Sequence, residues 1–145
     1  MPGNTNPLSA PDDLNHYSFF RYNTNALIWA LLILVLSAIP GSSLPSVSLG
    51  KFPADKVGHF FFYAILILLM LVGQYKQFRF SLKRNLIVRR CMVLAISYGI
   101  LLEILQGYVF RGREIDALDA LANTLGCFSG LAFFYLVYGK KNLND

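Results

Sequence analysis

Asp55, Lys56, His59 and Tyr63 are spaced so that one helix face would carry all four, since Asp55, His59 and Tyr63 repeat every four residues. Further along come Glu103 and Gln106, three apart, then Arg111 and Arg113, then Asp116, Asp119 and Asn123 at i, i+3 and i+7. A histidine among carboxylates suits proton transfer, with His59 as base and Glu103 or Asp119 as its orienter or as general acid. Guanidinium groups at Arg111 and Arg113 suit a forked grip on phosphate. Glu103, Asp116, Asp119 and His59 are also types that can ligate a divalent metal, but their spacing matches no metal signature. Neither a metal nor a cofactor is expected.

These residues stand in or at the rim of apolar sequence of membrane character: 26–39, 60–72, 91–102 and 118–137. A carboxylate in hydrocarbon costs roughly 2.5–3.5 kcal/mol on insertion scales, so it usually has a partner or a function. With 145 residues, 55% of them hydrophobic and 14% charged, the chain is too apolar for an ordinary soluble domain. The net charge of +5 does not mark a nucleic-acid binder, because the basic residues gather in one loop between apolar runs. Cys91 and Cys127 both lie in apolar segments, so a disulfide framework is not expected.

Positioning the polar residues requires four helices, an all-α integral membrane bundle. Residues 1–22 read as a polar, disordered tail rather than a cleavable signal peptide, 23–139 as the membrane domain and 140–145 as a short basic tail. The first helix is expected over 23–39, stopped by Pro40-Gly41, and the Ser-, Gly- and Pro-rich stretch from Pro40 to Ala54 as a non-helical connection. The others are expected over 55–74, 88–108 and 116–138. Lys76, Arg79, Lys83, Arg84, Arg89 and Arg90 mark the loop between helices two and three as cytoplasmic, which places both termini there too. Asp55 to Tyr63, Glu103 to Asn123 then meet at the outer face. Ala122, Gly126 and Gly130 form a row of small residues that suits either packing within the bundle or a homodimer.

The same residues have a purely structural reading: a salt-bridge network of Arg111, Arg113, Asp116 and Asp119, a hydrogen-bonded Glu103–His59 pair, and a Lys56 that snorkels to the surface. That reading explains each pair better than it explains the gathering of all the intramembrane acids at one face.

The blocks DKVGHFFFYAIL (55–66), GILLEILQ (99–106) and GREIDALDALANTLGCFSG (112–130) resemble the VanZ-like family of small membrane proteins. The resemblance covers residues 26–138. It implies a multi-pass protein of the bacterial cytoplasmic membrane, with its functional face outside and an association with teicoplanin resistance. It implies no defined reaction. The expected function is binding or shielding of a membrane lipid or lipid-linked cell-wall intermediate through Asp55, Lys56, His59, Tyr63, Glu103, Gln106, Arg111, Arg113, Asp116, Asp119 and Asn123. The alternative is an intramembrane hydrolase or transferase acting on such a substrate.

Overall fold

The computed structural model describes residues 12–40, 48–49, 52–78, 84–110 and 115–139. Four helices account for most of them: α1 (Asp12–Ala38), α2 (Ala54–Phe78), α3 (Arg84–Tyr108) and α4 (Ala117–Tyr138). Between α1 and α2, β1 (Ser48–Leu49) pairs antiparallel with β2 (Phe52–Pro53) within the connection expected to be non-helical. α1 begins at Asp12 rather than near Asn23. As a sequence, Pro-Asp-Asp at 11–13 is a helix-start pattern. The apolar run begins only later in that helix.

Three helical stretches are long and apolar enough to cross a membrane: Phe19–Ala38, Ala54–Gln77 and Ala117–Tyr138. Around 20 residues at 1.5 Å each span the hydrocarbon core, so each suffices. α3 is not among them.

α2 lies against each of the other helices, most extensively α4. The reason is on α4, where Asp119, Asn123, Gly126, Cys127, Gly130 and Phe134 form one buried stripe at helical spacing. A Cβ on Gly126 would overlap the Phe60 carbonyl, and one on Gly130 the Ala64 carbonyl, so the two backbones meet with no side chain between them. The Gly126–Gly130 row, which also suited a second copy, is filled by α2 of the same chain. Leu118, Leu121, Leu125, Phe128 and Phe133 of α4 face outward. The core contains Tyr63, Leu66, Ile67 and Leu71 from α2, Ala95 and Leu102 from α3, and Ile33 from α1.

Hydrogen bonds seat α1 in the bundle. The Trp29 indole N–H donates to the Phe62 carbonyl at 3.0 Å, and the Tyr98 hydroxyl donates to the Ala30 carbonyl at 2.7 Å. Nearer the α1 start, buried Asn23 donates to Gln77 Oε1 and accepts from Gln74 Nε2, both at 3.2 Å. α2 approaches so closely here that a Cβ on Gly73 would stand 2.7 Å from both Asn23 Oδ1 and the Tyr22 carbonyl. Asn23→Leu is expected to lower stability by about 0.6–2 kcal/mol, the range for polar links between membrane helices. Thermal unfolding in detergent would measure it, and an unchanged midpoint would show that the amide cluster contributes nothing.

Candidate functional site

Up-and-down connectivity brings the end of α1, the start of α2, the end of α3 and the start of α4 to one end of the bundle. Each helix end there is built for polar contacts. Asp116 caps α4, its Oδ1 accepting from the Leu118 backbone N–H at 2.8 Å. Its Oδ2 accepts from the Lys56 ammonium. Lys56 also donates to Asp119 Oδ1 at 2.7 Å, so one ammonium from α2 clamps two carboxylates of α4. The Lys56 ammonium, first, and the Leu118 N–H, second, hold the Asp116 carboxyl below its ordinary value of 3.8.

His59 lies one turn further into α2. Its Nδ1 is 3.0 Å from Asn123 Oδ1 and 3.7 Å from Glu103 Oε1. Its Nε2 is 3.7 Å from Asp55 Oδ1 and 3.9 Å from Asp119 Oδ2. Asn123 Nδ2 donates to Glu103 Oε1 over a long 3.5 Å. Gly99 of α3 leaves room for this packing, since a Cβ there would come within 3.1 Å of the Tyr63 ring and 3.3 Å of Asn123. Glu103, Asn123 and Asp119 are buried at 3%, 2% and 5% exposed, while Asp55 and Asp116 open the network to the surface.

On the α1 side of His59 a cavity of about 280 Å³ is lined by Ile33, Leu36, Ser37, Ala54, Asp55, Gly58, Phe62, Tyr63 and Gln106 as well as His59 itself. Gln106 Nε2 donates to the Ser37 carbonyl at 3.4 Å. That carbonyl is one of the last four of α1, which have no partner within their own helix. Two buried polar atoms, the Tyr63 hydroxyl and Glu103 Oε2, have no hydrogen-bond partner among the described residues. Of the two residues, Tyr63 lines the cavity.

Of the residues singled out in the sequence, Asp55, Lys56, His59, Glu103, Asp116, Asp119 and Asn123 come together in one network. Tyr63 and Gln106 stand beside it at the cavity. Glu103 and Gln106 share a helix face but serve different neighbours, Asn123 of α4 and Ser37 of α1. Arg111 and Arg113 lie outside the described residues. The described cation on Asp116 and Asp119 is Lys56, which turns inward instead of snorkelling, because two carboxylates one turn apart offer it charge-assisted bonds. Sequence reasoning missed Ser37 and the Asn23–Gln74–Gln77 cluster. The stop at Pro40 was the available signal for Ser37, because a helix end leaves its last carbonyls open. His59, Asp55 and Asp119 also bring one ligand atom each within 4.8 Å of one another, although no metal is expected from their sequence spacing.

The VanZ/LLP1 family model matches residues 7–138. No curated protein and no solved structure matches the chain.

Proposed function

The chain belongs to the VanZ/LLP1 family, and on that premise we propose that it binds the headgroup of a membrane lipid or lipid-linked cell-wall intermediate at the outer face of the bacterial cytoplasmic membrane. Family membership and three membrane-length apolar helices make it a multi-pass membrane protein. In this reading α3 crosses as well. Its Val93, Leu94, Ile100, Leu101 and Ile104 face outward as lipid-facing side chains would, while its Glu103 is turned inside. Lys76 at the end of α2, Arg79 and Lys83 after it, and Arg84, Arg89 and Arg90 at the start of α3 support a cytoplasmic position for that end, and with it for both termini.

The observation that carries the proposal is the cavity whose walls differ in character. Ile33, Leu36 and Phe62 suit the start of a lipid chain, and Asp55, His59, Gln106 and the Tyr63 hydroxyl, unpartnered among the described residues, suit a polar headgroup. Asp55, Glu103, Asp116 and Asp119 outnumber Lys56 as described charges, which favours donors such as amines, amides and sugar hydroxyls. Arg111 and Arg113 are the phosphate ligands of this reading. Masking of a lipid-linked wall intermediate would lower susceptibility to a lipid-tailed glycopeptide such as teicoplanin.

Native mass spectrometry of the protein extracted with its lipids tests this. Tyr63→Phe removes a single hydroxyl and is expected to weaken retention about fivefold, the value of one hydrogen bond of about 1 kcal/mol. Gln106→Leu should act in the same direction. Equal lipid retention in wild type and both folded variants would overturn the proposal. His59 among Asp55, Glu103 and Asp119 also supports a hydrolase or transferase reading with His59 as base. Lipid products that disappear in His59→Gln would favour that second reading.

A further inference from the structure

We propose that Asp55, His59 and Asp119 form a binding site for a divalent transition-metal ion, with Glu103 and Asn123 orienting the histidine. Hydrogen-bond logic through the network leads there. Asn123 turns its amide nitrogen toward Glu103 Oε1 and its oxygen toward His59 Nδ1. His59 Nδ1 then faces two acceptors, Asn123 Oδ1 at 3.0 Å and Glu103 Oε1 at 3.7 Å, and carries the ring hydrogen. Nε2, the other ring nitrogen, is directed toward the oxygens of Asp55 at 3.7 Å and Asp119 at 3.9 Å. A divalent cation between Nε2 and the two carboxylates would bind all three.

The spacing fits such a cation. Both separations are too long for hydrogen bonds. Zinc bonded at about 2.0–2.2 Å holds neighbouring ligand atoms about 3–3.6 Å apart, so the two His59 separations need contract by only a few tenths of an ångström. All three ligand atoms already lie within 4.8 Å of one another. The outer partners follow the usual pattern of metal-bound histidines, whose other ring N–H is held by a carbonyl or carboxylate. Asp119 divides its two oxygens, Oδ1 to Lys56 and Oδ2 to the site, so Lys56 and Asp116 fix the orientation of this ligand. One imidazole with two carboxylates suits zinc or manganese better than calcium, which takes oxygen ligands alone. Asp55 and His59 also line the cavity, so the ion would sit in its wall.

The test uses the full chain in detergent micelles or nanodiscs, stripped with chelator, incubated with Zn2+ and desalted. The expected result is about one zinc per chain by elemental analysis, a rise in the unfolding temperature on adding Zn2+, and loss of both in Asp55→Asn, His59→Gln and Asp119→Asn. Asn123→Ala should weaken zinc binding about 10- to 100-fold while leaving the ligands in place. Cys91→Ser, away from the cluster, should bind as wild type does. If a ligand variant fails to fold, the zinc content and zinc-dependent stabilisation of the wild type still decide the question. A folded wild type that retains no stoichiometric zinc, or ligand variants that retain it, would overturn the proposal. Zinc occupancy is read without any lipid present, so its failure leaves the headgroup proposal to its own test.

Discussion

Gly126→Ala is expected to separate α2 from α4 and to lower stability by about 1–3 kcal/mol or more, the cost of overpacking a tight interface. The added methyl would overlap the Phe60 carbonyl and press on the Ala64 backbone nitrogen, and a backbone cannot rotate away as a side chain can. Gly130→Ala meets the Ala64 carbonyl and the Ile67 side chain, with the same consequence. The polar network depends on this seam, because Lys56 and His59 of α2 reach Asp119 and Asn123 of α4 just beyond it. Both substitutions should therefore lower the unfolding temperature in detergent and weaken ligand retention together. Ser129→Ala, on the exposed face of α4, should stay within about 0.5 kcal/mol of wild type. Wild-type stability in Gly126→Ala would mean that the close crossing does not hold the helices together.

Lys56→Met should have the second large effect. It removes the described cation of two carboxylates and leaves Asp119, only 5% exposed, without the donor to its Oδ1. The bond to buried Asp119 contributes about 1.5–3 kcal/mol as a hydrogen bond to a charged group, and the orphaned acceptor adds its desolvation. The double variant Lys56→Met/Asp119→Asn should recover part of the loss, since the buried charge is then gone as well. Purely additive losses would show that the two residues do not interact.

Acid should reveal the same clamp. The Asp116 carboxyl is held below its ordinary 3.8 in the folded protein, so the pairing stabilises fully above that value. The contribution is lost as pH falls through the lower folded value. Wild type should thus show an acid-dependent loss of stability that is smaller in Lys56→Met, where the Leu118 N–H still holds the carboxylate.

The membrane character, the helix count and the end of the bundle where the polar residues gather were all legible in the order of residues. The bilayer demands long apolar runs, and alternating helix direction forces the start of α2, the end of α3 and the start of α4 to one end. The period of α4 likewise put Asp119, Asn123, Gly126 and Gly130 on one stripe, which the structure buries. Pairing across helices was not legible. Lys56 holds both Asp116 and Asp119, Gln106 turns to the end of α1 while Glu103 turns to α4, and Asn23 gathers Gln74 and Gln77. Periodicity defines the faces of each helix but leaves open its rotation and its distance from its neighbours. Those are set by the glycine contacts of α4 with α2 and by the packing of Tyr63 beneath Gly99, which only the folded bundle brings into register.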